Sequence, residues 1–211
     1  MSDDTHSTAA AEDTQRPPDV EKVKLWDPLL RVFHWALAIA VITAWGLGEY
    51  GPSIMTLHFY AGYTVCGLIL FRILWGFVGP KPARFTHFLR GPSAITGYLS
   101  HMFHRHPSYW PGHNPLGALA VLAILGVLSF QVVTGLISDP EDYVNVGPFA
   151  GAVPHDLATE AVGLHHTGAT LILLLVILHI GIIFFYRFWK REDLVTPMLT
   201  GWKWVRRKLG Q

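Results

Sequence analysis

The chain reads as an all-α membrane protein: a four-helix transmembrane bundle with both termini cytoplasmic and a short interfacial helix between helices two and three. Three observations predict this. Of the 211 residues 51% are hydrophobic, a share that pairs here with a positive mean hydropathy rare in soluble domains. The apolar residues gather into four stretches near the roughly 20 residues a helix needs to cross the hydrocarbon core. The basic residues are segregated by position despite a net charge of only +1.

The stretches run from about Leu30 to Leu47, Leu57 to Val78, Leu116 to Ile137 and His165 to Trp189. A buried helix of a large soluble protein is the alternative, but this chain has too little polar sequence to cover four. No Lys or Arg lies between Arg31 and Arg72, nor between Arg105 and Arg187. All 16 fall in the tails, in the segment joining the second and third stretches, or at the helix ends beside them. The positive-inside rule then places both termini in the cytoplasm. The outer loops carry acids only: Glu49, Asp139, Glu141, Asp142, Asp156 and Glu160.

Between helices two and three, Ile95, Tyr98, Leu99, Met102 and Phe103 recur at helical spacing after Pro92. That pattern predicts a short amphipathic helix in the membrane interface. From Ser138 to Leu164, Pro140, Gly147, Pro148, Gly151 and Pro154 predict an irregular outer loop. Residues 1–21 read as a disordered tail, since the first 19 are polar, mildly acidic and unlike a secretion signal. Residues 22–211 form the transmembrane domain. One cysteine, Cys66, excludes a disulfide framework and the C-x-x-C-H attachment of a c-type haem.

Ionisable groups at membrane depth are costly and mark function by default. His34 sits near the inner start of helix one, His58 opens helix two at the outer side, and His165 and His179 lie on helix four. Fourteen residues separate the last two, about 3.9 turns and a rise of about 21 Å, so they share a face at opposite depths. His166 points about 140° away from His179. Matching depths gives two cross-helix pairs, His58 with His165 outside and His34 with His179 inside. Two facing imidazoles can hold a haem iron on both axial sides, a six-coordinate centre suited to electron transfer. Gly46, Gly62, Gly67, Gly135 and Gly168 offer room for a flat macrocycle, Gly62 one turn beyond His58.

Ordered motifs carry a family resemblance over roughly residues 22–204. They are Trp26-Asp-Pro28 with Arg31-Val-Phe-His34-Trp35, His58-Phe-Tyr-Ala-Gly62, Phe71-Arg72-Ile-Leu-Trp75-Gly76 and Gly112-His-Asn-Pro-Leu-Gly117. Gln131-Val-Val-Thr134-Gly135-Leu136, the His165 and His179 pair, and Asp193-Leu-Val-Thr-Pro-Met-Leu-Thr-Gly201 follow. This set resembles the bacterial cytochrome b561 superfamily, which includes the cytochrome b subunits of nickel–iron hydrogenases. The resemblance implies two non-covalent b-type haems with His34, His58, His165 and His179 as axial iron ligands, in a multi-pass protein of the bacterial inner membrane. It also implies electron exchange between the quinone pool and a periplasmic redox partner such as a c-type cytochrome. No nucleic-acid partner is expected.

Other residues keep two readings at this stage. Arg31 and Arg72 are either topology anchors that snorkel or partners of the inner haem propionates. The acidic outer loops are either what the positive-inside rule leaves behind or a dock for a cationic cytochrome. His87, His101, His104, His106 and His113 lack acidic or thiol companions and read as interfacial residues rather than a metal site; His113 belongs to a turn motif. The rival functions are a membrane anchor for a larger, hydrogenase-like redox complex and a metal or small-solute transporter. Whether the chain is an electron carrier alone or part of a quinol/quinone oxidoreductase is open from sequence.

Overall fold

The structure, a computed structural model, describes residues 19–206; most of the tail expected over residues 1–21 lies outside them. Strand β1 (Val20–Lys24) is followed by α1 (Pro28–Tyr50) and α2 (Thr56–Val78). Short helices α3 (Phe85–Phe88) and α4 (Pro92–His101) lead to α5 (Pro115–Ile137) and α6 (His155–Phe188). Helix α7 (Val195–Thr200) and strand β2 (Trp202–Arg206) complete the order.

Helices α1, α2, α5 and α6 are each long and apolar enough to cross a membrane. Their starts follow from local chemistry. Asp27 caps α1 by accepting from the Leu30 amide at 3.0 Å, with Pro28 in the first turn. Asn114 caps α5 in the same way, from the Gly117 amide at 2.7 Å, with Pro115 next. The expected short helix is present as α4, opening on Pro92.

The helices pack as two hairpins, α1 on α2 and α5 on α6, joined through α2 and α5. Ala40, Val65, Ile69, Leu128 and Ile172 form the mid-bundle core. Large apolar side chains such as Ile39, Leu70 and Phe184 face outward, as lipid contact requires.

Two features depart from expectation. Helix α6 begins at His155, ten residues before the predicted start, so the irregular loop ends at Pro154 and Asp156 and Glu160 are helical. Its first turns carry Asp156 and Glu160, yet Ala158 and Ala161 are fully buried there. The second is a small sheet. Strand β1 pairs antiparallel with β2, from Val20 opposite Arg206 to Lys24 opposite Trp202, so Val20 and Glu21 belong to the fold. This pairing joins the first and last described segments at one end of the bundle, called here the terminal end; the other is the far end.

A buried polar cluster sits beneath that sheet. Glu192 is 6% exposed and accepts from the Ser108 amide at 2.8 Å and the Ser108 hydroxyl at 2.7 Å. It also pairs with Lys203 Nζ at 3.4 Å. Burial lowers the Lys203 pKa, and Glu192 opposes that shift. The Tyr186 hydroxyl meets that of Tyr98 and accepts from Asn114 Nδ2 at 2.8 Å. Gly201 ends α7 in the left-handed region (φ 87°), and a Cβ there would lie 2.8 Å from the Trp26 carbonyl oxygen.

Candidate haem sites

The fold brings the four histidines together in the two expected pairs. His58 and His165 have ring centroids 5.9 Å apart with planes at 83°. His34 and His179 stand 6.5 Å apart at 48°. The pairs occupy two levels of one bundle, the first toward the far end and the second toward the terminal end. A metal–imidazole bond is about 2 Å, and the ring centroid lies about 1 Å beyond the nitrogen. Two axial imidazoles on one iron therefore need centroids about 6 Å apart, which both pairs meet.

The far-end pair is held by a repeated device. His58 Nδ1 donates to the Ala44 carbonyl at 2.8 Å, and a Cβ on Gly48 would lie 3.1 Å from the same ring. His165 Nδ1 lies 3.0 Å from the Gln131 carbonyl, and a Cβ on Gly135 would lie 2.8 Å from its ring. In each case one neighbouring helix offers a carbonyl at position i and a glycine at i+4. The missing side chain leaves that carbonyl open to a ring from the side. Donation through Nδ1 puts the lone pair on Nε2 and raises its basicity, as a metal ligand requires. Thr134 Oγ1, 3.2 Å from His165 Nδ1, adds a second acceptor.

Gln131 also places its side-chain nitrogen 3.1 Å from His165 Nε2, on the atom that would bind iron. Its Oε1 is buried without a partner. The amide is thus only half satisfied where it stands, and a ligand at Nε2 requires it to move aside.

Beside this pair a cavity of about 250 Å³ opens into a cleft. Val41, Ala44, Gly62, Val132 and Ile172 supply apolar wall, and His166 reaches the rim while remaining exposed. Gly46, Gly62 and Gly67 face open space, whereas Gly135 supports a ring and Gly168 faces the Gln131 amide. The residues present fit a flat group of haem size.

At the terminal end, His34 Nδ1 is buried without a partner. Arg72 is 2% exposed inside α2. One guanidinium nitrogen donates to the Ala83 carbonyl at 3.1 Å, and the other has no partner. The group lies over the rings of Phe85 (4.7 Å) and Phe88 (5.9 Å). Arg72 is therefore no snorkelling anchor. Arg31 donates to the Leu199 carbonyl and so ties α1 to α7, with its Nε buried and unpaired.

His113 is packed between Trp26 (4.8 Å) and Phe88 (4.9 Å). Burial and the charges of Arg72 and Lys203 hold its pKa down at about 3, so the ring is neutral. The other loop histidines, His87, His101, His104 and His106, are exposed. No group of three or more metal-binding side chains occurs among the described residues.

Comparison with known proteins decides the family. The model of the prokaryotic cytochrome b561 family matches residues 25–201. The chain belongs to that family. It is a multi-pass bacterial membrane cytochrome that carries b-type haem and takes part in electron transfer. Among its relatives is a protein of Rhizobium leguminosarum bv. viciae named "Probable Ni/Fe-hydrogenase B-type cytochrome subunit", 24% identical over 93% of this chain and 95% of that one. Proteins of the same description from Azotobacter vinelandii and Escherichia coli K12 are 25% and 24% identical. These alignments cover 86% and 90% of this cytochrome and 88% and 94% of the relatives. No solved structure matches significantly.

Sequence reasoning found the four histidines in the cytochrome but missed what surrounds them. Gly48 and the Ala44 and Gln131 carbonyls were not singled out. Gln131, Thr134 and Gly135 did carry a signal, being polar or small at helical spacing in an otherwise apolar helix. A carbonyl acceptor carries none.

Proposed function

We propose that the cytochrome carries electrons across the bacterial inner membrane through two b haems, each held by two histidines. His58 and His165 ligate the haem near the outer face; His34 and His179 ligate the one near the cytoplasm. The observation that carries this is the pair of cross-helix histidine contacts, 5.9 and 6.5 Å, at two depths of one bundle. Bound haem supplies a reversible one-electron change at iron. The protein fixes four imidazoles that would hold the two haems, and it lines the far-end site with apolar wall. Arg72 and Arg31 bring cationic donors to the inner haem propionates. The partner on one side is the quinone pool, and the partner on the other is a periplasmic redox protein.

The relatives' description supports an assembled form, in which the chain is the membrane subunit of a hydrogenase-like complex. In that form the outer haem exchanges electrons with the complex and no free c-type cytochrome is needed. Liposomes test the shared core of both forms. Haem-loaded protein should pass electrons from an impermeant external reductant to ferricyanide trapped inside, and the His34→Ala variant should not. Equal rates with and without protein would contradict the proposal.

A further inference from the structure

We infer that His113 and Arg72 together form a carboxylate cradle that binds a propionate of the inner haem. This rests on the inner haem of the proposed function and assigns it a recognition site beyond its axial ligands.

Two buried polar atoms near one aromatic ring lack a partner. Arg72 is 2% exposed and keeps one guanidinium nitrogen buried and unpaired. His113 Nδ1 is likewise sealed from solvent and unpaired. The two side chains flank the same ring, Phe88, at 5.9 and 4.9 Å. His113 also lies within charge–charge range of Arg72, His34 and His179. An unsatisfied buried polar atom is costly, and with its proton on Nδ1 His113 shares with Arg72 the need for an acceptor. A guanidinium beside a neutral imidazole selects an anionic oxygen ligand, and a propionate is the carboxylate that the inner haem brings there.

The chain positions His113 with care. Gly112 takes φ 104° just before it, and Asn114 just after it both caps α5 and donates to Tyr186. Trp26 and Phe88 both pack against the ring, at 4.8 and 4.9 Å. The residue is partly exposed as a whole, but these contacts hold Nδ1 on its sealed side.

The test uses holoprotein purified from membranes and potentiometric titration of both haems, the outer serving as internal reference. His113→Phe keeps the aromatic stack and removes the donor; Arg72→Gln removes the charge. Each should lower the midpoint potential of the inner haem, because a less neutralised propionate stabilises the oxidised state, and should leave the outer haem unmoved. His113→Asn, which restores a donor, should recover most of the shift. Resonance-Raman propionate bending bands should move in the same variants.

The shifted centre must be the one that His34→Ala removes. Wild-type protein without that centre would sink the haem assignment itself. Two intact haems with an unmoved inner potential in both variants would overturn the cradle alone. So would an unmoved potential with loss of a co-purified phospholipid, which would assign the donors to a lipid phosphate.

Discussion

Replacing His58 by alanine is expected to halve the haem content of the purified protein, leaving the inner haem's spectrum and potential intact. His58 and His165 face each other at 5.9 Å, and His166 is the other imidazole lining their cavity among the described residues. His166 is exposed on α6 and cannot take over. His165→Ala should give the same single-haem protein, because either loss leaves iron with one axial ligand. His34→Ala and His179→Ala should remove the other haem. Thr134→Val is a milder change, since it takes one acceptor from His165 Nδ1 and leaves the Gln131 carbonyl. It should weaken outer-haem retention by about 10-fold or more, in the range found for partners of metal-binding histidines. Pyridine haemochrome analysis per chain measures all of these. Equal loss of both haems from His58→Ala would contradict the pairing.

Glu192→Ala is expected to destabilise the fold by about 3–5 kcal/mol, the cost of breaking a buried ion pair. The substitution strands Lys203, only 7% exposed, without its counter-charge. It also removes the acceptor of both Ser108 bonds. For a chain of this size the melting temperature in detergent should fall by about 10 °C. The double variant Glu192→Leu with Lys203→Met should recover much of the loss, because apolar replacements of a buried pair are often neutral. A Glu192→Ala protein that melts within about 1 °C of wild type would show the pair to be solvated.

What could be read in advance follows from which forces act locally. Four spans and the shared location of the termini were legible because membrane crossing leaves a length, an apolar composition and a basic asymmetry. The histidine pairs were legible because the step from His165 to His179 fixes both face and depth. The pairing of β1 with β2 was not, since it joins residues about 180 apart and Lys203 interrupts the apolar alternation of its strand. Ten residues of α6 were missed because Pro154 looks the same as a loop breaker and as a helix start. His113 read as a turn residue because its aromatic clamp comes from α1's approach and from α3, distant in the chain. Backbone acceptors such as the Ala44 carbonyl have no residue signature at all.

The central claim is that four histidines hold two haems in one bundle. Haem quantitation per chain, combined with low-temperature electron paramagnetic resonance of the oxidised protein, tests it most directly. The account predicts two b haems per chain, both low-spin with bis-histidine signatures and neither binding carbon monoxide when reduced. A single haem per chain, or a high-spin centre that takes carbon monoxide, would contradict it.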